Sequence, residues 1–247
     1  MVGVAADLGI DTVKFQSWRA ARLRPDFPDY EATLERHQRT QLSDEDHWTL
    51  KSACEERGVG FLTTCFDSDR IDFLATLGLK EIKVASPDCA SYTMIGRLLE
   101  VFEHVIVSTG MSYDSEVEEL ARRFAGKNIT LLHCVSVYPT PPEQAHLARM
   151  RWLRDLGFPV GYSDHTMGVD AGKCAVAMGA EIVEKHFTLS RCLPGKDQAI
   201  SGEPEEFAEL VRWRDAVEAL VGAAHPELTG EELRTREVYR GKWGDNT

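Results

Sequence analysis

Residues 159–186 read PVGYSDHTMGVDAGKCAVAMGAEIVEKH, and this stretch decides the predicted fold. It begins with a short apolar run, continues with Ala171, Cys174 and Met178 at helical spacing up to Gly179, and ends in a second apolar run. Apolar residues three and four apart are typical of the buried face of a helix, and glycine commonly ends a helix. The stretch therefore predicts a strand–helix–strand unit whose strands are parallel.

The same alternation recurs along the chain. Predicted strands cover residues 12–16, 60–64, 81–85, 104–108, 129–134, 159–163 and 181–186. Each is short and rich in Val, Ile, Leu or Phe, as strands buried on both faces are. Because no linker divides the chain, the pattern predicts one α/β domain over residues 1–247. Right-handed crossovers then give either an open doubly wound sheet or a closed TIM (β/α)8 barrel.

The composition excludes several classes of protein. The 247 residues carry 28 Lys and Arg against 40 Asp and Glu, a net charge of −12, which argues against nucleic-acid binding. The 43% hydrophobic fraction excludes global disorder. No apolar run reaches the roughly 20 residues that span a membrane, and we expect no secretory signal because residues 1–14 show neither a basic region nor a long apolar core. Six cysteines without a CxxC pair predict reduced thiols and a cytoplasmic location.

The strand count is one short of a barrel. Seven strands are predicted where the barrel has eight, and residues 2–8 resemble the tail of a helix. We therefore expect a TIM-type barrel that lacks its first strand, with two exposed edges. A misplaced or truncated start, a strand supplied by another chain, and a decayed relative all explain this pattern. The long segment 17–41 is predicted to be an active-site loop with a short helix.

Polar residues collect where the predicted strands end, and in a parallel barrel these ends share one rim. The side chains at or just after the strand ends are Lys14, Gln16, Thr64, Lys83, Ser86, Asp88, Ser108, Ser136, Ser163, Asp164, His165, Glu184, Lys185 and His186. Each alone has an ordinary structural explanation: a hydroxyl caps a helix, and a single histidine is a hydrogen-bonded core residue. Core packing alone does not require that all seven strands deliver such groups.

These residue types favour two kinds of site. Lys14, Lys83 and Lys185, together with neighbouring hydroxyls, suit a phosphate or a carboxylate. His165 and His186 follow adjacent strands, and two neutral imidazoles bind a divalent metal while leaving positions open for water and substrate. From the spacing alone, a metal site and a pair of core histidines are equally compatible with the sequence.

Nine segments, in this order, resemble the sialic acid synthase family. They are GIDTVKFQ (9–16), LSDEDH (42–47), FLTTCFD (61–67), IKVASPD (82–88), VIVSTGM (105–111), LLHCVSVYPTPPE (131–143), VGYSDHTMG (160–168), GAEIVEKHFTL (179–189) and LPGKDQAISGEPEEF (193–207). The pairing of YSDHT with EKHFT is the most specific part of the likeness. The resemblance implies a TIM barrel.

The resemblance also implies a reaction and its residues. Members of this family condense phosphoenolpyruvate with the aldehyde of an N-acetylated hexosamine, typically N-acetylmannosamine, and release phosphate. The resemblance assigns a divalent cation, Mn²⁺ or Mg²⁺, to His165 and His186, with Asp164 orienting His165. Its matching positions predict Glu184, Lys83, Lys14 and Asp88 as catalytic, and Gln16, Thr64, Ser86, Ser108, Ser136, Ser163 and Lys185 as substrate-binding.

The sequence departs from the family pattern at both ends. The family opens with a strand that bears a Glu, followed by an Asn-His segment, and closes with an antifreeze-like domain that contributes an Arg across a homodimer. Neither piece is recognised here, while Cys65, Pro87 and GKDQ (195–198) are unusual at their positions. Two other functions therefore remain open: a catalytically impaired barrel that acts as a binding or partner protein, and a Schiff-base aldolase that uses Lys83 or Lys185.

Overall fold

The computed structural model describes residues 1–222 and 227–244. Contacts divide the chain into two compact units, Met1–Arg214 and Asp215–Thr247. All seven predicted strands are present in the first unit: β1 (Thr12–Ser17), β2 (Gly60–Cys65), β3 (Glu81–Val84), β4 (His104–Ser108), β5 (Ile129–Cys134), β6 (Val160–Asp164) and β7 (Val183–Lys185). They form one parallel sheet in the order of the sequence. That a single domain includes residues 215–247 stays a prediction.

Helices alternate with the strands. They are α1 (Val2–Asp7), α2 (Tyr30–Thr40), α3 (Asp44–Glu56), α4 (Ile71–Thr76), α5 (Tyr92–Val101), α6 (Asp114–Arg123), α7 (Arg149–Asp155), α8 (Asp170–Ala177), α9 (Pro204–Val221) and α10 (Gly230–Tyr239). The predicted first helix and the helix within residues 17–41 are thus confirmed as α1 and α2. Among the described residues, no helix is both long and apolar enough to cross a membrane.

Local sequence explains how these helices begin and end. The Ser43 side chain accepts a hydrogen bond from the backbone N–H of Asp46, and the Asp46 carboxylate accepts one from the N–H of Ser43, so α3 begins with a capping box. α8 is followed by Gly179, whose φ of 82° lies in the left-handed region that favours glycine. Short turns of this kind bring the chain back to the sheet after each helix.

The sheet separates two apolar regions. In β4, Val105 and Val107 face the helices and belong to the large outer core, whereas Ile106 faces inward with Leu62 and Leu132. A parallel sheet that encloses its own apolar interior is curled as in a TIM barrel. The sequential strand order also excludes the open doubly wound alternative, which requires a reversal of strand order.

The two outermost strands of the sheet approach each other through their side chains. Lys14 Nζ of β1 lies 3.6 Å from Glu184 Oε2 of β7. Within the described residues, β1 and β7 each pair with one neighbouring strand. The seven-stranded curled sheet is therefore established, and the absence of a first barrel strand stays a prediction.

Candidate active site

Glu184 lies at the centre of the polar cluster inside the barrel. Its Oε1 accepts hydrogen bonds from Ser163 Oγ at 2.7 Å and Ser108 Oγ at 3.3 Å, and lies 3.5 Å from Lys83 Nζ. Lys14 Nζ lies 3.6 Å from the other carboxylate oxygen, Glu184 Oε2. Side chains of β1, β3, β4, β6 and β7 thus converge on one carboxylate, because alternation along each strand points them inward.

The two lysines of this cluster share one carboxylate. Burial raises the pKa of Glu184, but Lys14, Lys83 and the Ser163 hydroxyl outweigh burial and lower it to about 2. Burial lowers the pKa of Lys83 to about 8, and Glu184 offsets this only in part because Lys14 opposes it. With both lysines protonated, the cluster has two positive charges and one negative charge. Its excess positive charge suits an anionic ligand.

Lys14 and Lys83 are held by neighbouring groups. Lys83 Nζ donates to Ser108 Oγ at 2.5 Å and to the Val84 carbonyl at 2.8 Å, and its side chain is 1% exposed. Lys14 Nζ donates to Thr64 Oγ1 at 3.3 Å, and Gln16 pairs with Thr64 in the sheet register, on the same side of β1 as Lys14. The structure therefore brings these predicted residues to one end of the barrel.

Ser86 and Ser136 meet at Gly110. The backbone N–H of Gly110 donates to Ser86 Oγ at 3.1 Å. A Cβ atom on Gly110 would clash with Ser136 Oγ, and it would lie only 2.8 Å from Ser86 Oγ and 2.9 Å from Cys134 Sγ. Glycine is thus required in the turn after β4, where it lets three small polar side chains from β3 and β5 come together.

The two predicted metal ligands are adjacent. The rings of His165 and His186 have centroids 5.5 Å apart, and the ring of Tyr138 lies 4.2 Å from the first and 6.2 Å from the second. His165 Nδ1 donates to the Val135 carbonyl at 2.9 Å, which leaves Nε2 as its free acceptor.

The pKa values of the two histidine rings shift in opposite directions, although both rings are buried. Burial lowers the pKa of His186. At His165 burial also opposes the charged form, but hydrogen bonds to Cys134 and Val135 outweigh it and raise the pKa. The lowered pKa favours the neutral form of His186, which is the form that binds a metal, whereas the raised pKa of His165 favours its protonated form in the absence of an ion.

These residues fit a divalent metal as a partial set of ligands. A metal-binding histidine characteristically donates its second ring N–H to a carbonyl or carboxylate, and His165 does so. In the part of the chain that the structure describes, no group of three or more His, Cys, Asp and Glu side chains is arranged to hold a metal. His165 and His186 would therefore bind the ion with water and substrate in the remaining positions.

Lys185 and Asp164 do not occupy their predicted places. Strand alternation turns Lys185 away from the interior that Glu184 faces, and its Nζ lies 3.0 Å from Asp164 Oδ2 in a fully buried ion pair. The structure therefore places Lys185 away from the cluster around Glu184, and its substrate-binding role stays a prediction. The other Asp164 oxygen accepts hydrogen bonds from Thr166 rather than from His165.

Asp88 also lies apart from the cluster. Its carboxylate accepts a hydrogen bond from Ser91 Oγ at 3.1 Å, and burial raises its pKa. Asp88 lines a cavity of about 480 Å³ with Asp67 and Tyr92, and that cavity includes none of the lysines or histidines of the cluster. The structure does not place Asp88 against the predicted catalytic groups.

Two residues beside the histidines were missed by sequence reasoning. Tyr138 contacts both rings, and Cys134 Sγ lies 3.7 Å from His165 Nδ1. Burial raises the pKa of Cys134, but the hydrogen bond to His165 outweighs it and lowers the pKa. Alternation along β5 was the available signal for Cys134, since it lies two residues after the interior Leu132. No sequence signal gives the position of Tyr138, which lies in a loop.

Known proteins resemble the chain over nearly its whole length. A model of the NeuB family matches residues 1–226. N,N'-diacetyllegionaminic acid synthase of Legionella pneumophila is 33% identical, over 97% of this chain and 73% of its own length. The crystal structure of N-acetylneuraminic acid synthetase from Leptospira borgpetersenii, in complex with citrate, has a TM-score of 0.87 at 31% identity, over 97% of this chain and 85% of that one.

A more distant likeness concerns the fold alone. A truncated 3-deoxy-D-arabino-heptulosonate 7-phosphate synthase of Thermotoga maritima has a TM-score of 0.69 at 14% identity. The chain spans 66%, 73% and 77% of three curated relatives. With the family matched across residues 1–226, the chain belongs to the NeuB family, whose members among its relatives include sialic, legionaminic and pseudaminic acid synthases.

Proposed function

We propose that this chain condenses phosphoenolpyruvate with the aldehyde of an N-acetylated hexosamine, such as N-acetylmannosamine, to form a nonulosonic acid and phosphate. The observation that carries the proposal is the cluster in which Lys14 and Lys83 share Glu184 beside two histidines. The names of the relatives, which are synthases of sialic and legionaminic acids, support the same reaction.

The charges of the cluster favour phosphoenolpyruvate as the ligand. This substrate carries a phosphate and a carboxylate, and the cluster offers two ammonium groups with several hydroxyl donors. The other fully buried lysine, Lys185, pairs one to one with Asp164, whereas Lys83 shares Glu184 with Lys14. The inner cluster therefore carries excess positive charge, which an anion would neutralise.

In the proposed reaction, C3 of phosphoenolpyruvate bonds to the aldehyde carbon while water adds to C2. One proton of the water ends on the former aldehyde oxygen. The C2–O bond to phosphate then breaks, C2 becomes a ketone, and the proton of its hydroxyl leaves with phosphate. Because its pKa is lowered to about 2, Glu184 is ionised at neutral pH. It therefore orients hydroxyl groups or accepts a proton and does not donate one.

His165 and His186 would hold the divalent cation, Mn²⁺ or Mg²⁺, that the family resemblance implies. A bound cation supplies Lewis acidity at the aldehyde oxygen. The hydrogen bond from His165 Nδ1 to Val135 fixes that ring, and Tyr138 covers both imidazoles. We further propose a homodimer in the cytoplasm, which the resemblance and the six unpaired cysteines support.

Release of phosphate from phosphoenolpyruvate tests this proposal. The chain is assayed with N-acetylmannosamine or an amino-deoxy hexose, with and without Mn²⁺, beside His186→Ala and a control, His104→Gln. We expect Mn²⁺-dependent turnover that His186→Ala abolishes and His104→Gln keeps, because His104 begins β4 at the opposite end of the barrel. Calorimetric binding of phosphoenolpyruvate without turnover on any acceptor would instead indicate a binding protein.

One observation favours a second candidate, a Schiff-base aldolase. Lys83 is fully buried and its pKa is lowered to about 8, which makes a neutral, nucleophilic amine accessible. Borohydride reduction in the presence of a carbonyl substrate, followed by mass spectrometry, distinguishes the candidates. A stable adduct on Lys83 would support the aldolase, whereas phosphate release without an adduct supports the condensation.

A further inference from the structure

Two buried charged residues lie behind the site and take no part in the proposed chemistry. Asp164 of β6 and Lys185 of β7 are partners in the sheet register, and alternation points both to the outer face. The residue before Lys185 is Glu184, which faces the interior. The residues that follow the pair along the two strands are His165 and His186. Along β7, Lys185 therefore lies between Glu184 and His186, and along β6, Asp164 directly precedes His165.

The ion pair between Asp164 and Lys185 is shielded from solvent. The side chains of Asp164 and Lys185 are 0% and 1% exposed, and their charged atoms lie 3.0 Å apart. Asp164 Oδ1 accepts from the backbone N–H of Thr166 at 2.9 Å and from its hydroxyl at 2.8 Å, while Lys185 Nζ also donates to the Thr166 carbonyl. Additional hydrogen bonds of this kind are what a buried ion pair needs to offset its desolvation.

The hydrogen bonds continue to the end of β5. Thr166 forms a parallel bridge with Thr140, whose backbone N–H donates to the His165 carbonyl at 2.8 Å. The single proton of the Thr140 hydroxyl is shared between the carbonyls of Val137 at 2.8 Å and Val135 at 3.2 Å, and the Val135 carbonyl also accepts from the His165 ring. One continuous network thus runs from the ion pair to the imidazole of His165.

Side chains on both faces fix the register of β7: Glu184 bonds to Ser163 on the inner face, and Lys185 pairs with Asp164 on the outer face. The strand has only three residues, and each pairs with β6 alone among the described strands. A slip of one residue would turn Glu184 outward and Lys185 inward, because side chains alternate along a strand. The attraction between Asp164 and Lys185 opposes this slip, since it is satisfied in one register only.

We propose that Asp164 and Lys185 are positioning residues that fix β7 against β6 and thereby set the separation of the His165 and His186 rings and the direction of Glu184. This inference rests on the proposed function, because it assigns the pair to the geometry of the metal and substrate site. A pair that only stabilised the fold would have a different signature. A folded variant without the pair would then keep the same ring separation and the same direction of Glu184.

The test uses variants of the full chain that distinguish an effect on the stability of the fold from an effect on the positions of His165, His186 and Glu184. Asp164→Asn with Lys185→Met removes both charges together, so that no unpaired charge stays buried. Asp164→Glu keeps the charges but lengthens one side chain. It replaces the double variant in the test if the double variant does not fold. Lys185→Arg keeps the pair. As a matched control, Glu209→Gln with Lys173→Met neutralises a lysine–carboxylate pair between α8 and α9.

Two measurements are made on each variant: Mn²⁺ affinity by electron paramagnetic resonance, and the ¹⁵N imidazole spectra of His165 and His186 without metal. We expect the double variant to bind Mn²⁺ 10- to 100-fold more weakly and to shift both ring spectra. Asp164→Glu should change both readouts in the same direction. Lys185→Arg should stay within a few-fold of the unsubstituted chain, and the control should be unchanged.

Unchanged affinity and spectra in the folded double variant, or in Asp164→Glu, would overturn the inference. If the unsubstituted chain itself binds no Mn²⁺, the metal part of the proposed function fails, and the ring spectra alone decide the positioning role. Shifted spectra then support it, and unshifted spectra refute it.

Discussion

Two lysine–carboxylate clusters lie on opposite faces of β7, and they differ in how their charges balance. On the outer face, Lys185 and Asp164 pair one to one and are sealed from solvent. On the inner face, Lys14 and Lys83 share Glu184, and the side chains of Lys14 and Glu184 stay 26% and 20% exposed. The two charges of the outer pair cancel. The inner cluster has an excess of positive charge and is accessible to solvent.

This difference shows how neighbouring residues of one strand take different roles. Glu184 and Lys185 are adjacent in β7, but alternation sends one to the interior and the other to the outer face. In our proposals, the balanced, buried pair fixes strand register and the unbalanced, accessible cluster binds an anion. Substitutions in the two clusters should therefore have different consequences.

The largest expected effect is on turnover, in Glu184→Gln. The amide keeps the shape but removes the ionised group, and we expect phosphate release to fall by about 10²- to 10⁴-fold. Phosphoenolpyruvate affinity should not fall, because the cluster becomes more positive. Steady-state kinetics and calorimetry check the two parts, with the exposed Glu205→Gln as control. Unchanged turnover would show that Glu184 is not catalytic.

The next largest effect is on stability, in Lys185→Met. This substitution leaves the Asp164 charge buried without its partner, which typically costs about 3–5 kcal/mol. Urea denaturation gives the free energy of unfolding. Lys173→Met, at a more exposed ion pair, should cost no more than about 1 kcal/mol. A loss below about 1 kcal/mol in Lys185→Met would remove the distinction between the closed pair and a surface pair.

A smaller effect is expected on ligand affinity, in Lys83→Met. Loss of one charged hydrogen-bond donor should weaken phosphoenolpyruvate binding by about 1.5–3 kcal/mol, which calorimetry measures. Lys14→Met should have a smaller effect because Lys14 is partly exposed and therefore screened. If both variants bind as well as the unsubstituted chain, the cluster is not the anion site.

The smallest effect is on the pH dependence of that affinity. The pKa of Lys83 is lowered to about 8, so its positive charge is lost as the pH rises through that value. A bound anion favours the charged form, and phosphoenolpyruvate affinity should therefore decrease above pH 8, by up to about tenfold per pH unit. Calorimetry across pH 7 to about 9.5 checks this, and Lys83→Met should abolish the dependence. A flat profile in the unsubstituted chain would contradict it.

Sequence reasoning located the seven strands and most of the site, because short apolar runs and the polar residues after them are local features. The predicted convergence of Lys14, Lys83, Ser108 and Glu184 is confirmed. Lys185 lies on the outer face and not with the cluster, because strand alternation puts adjacent residues on opposite faces. A strand end predicted without its register does not show which face each residue takes. Asp88 was placed with the catalytic groups by resemblance, and its position depends on the turn after β3.

The sequence by itself determined the α/β architecture, the positions of the parallel strands along the chain and the residue types at their ends, since hydrophobic periodicity and turn residues act over short distances. Only the tertiary structure decided that Glu184 meets two lysines, that Lys185 turns away to Asp164, and that Tyr138 covers both histidines. These contacts join residues far apart in the chain. Their geometry depends on how the sheet curls, which no local pattern specifies.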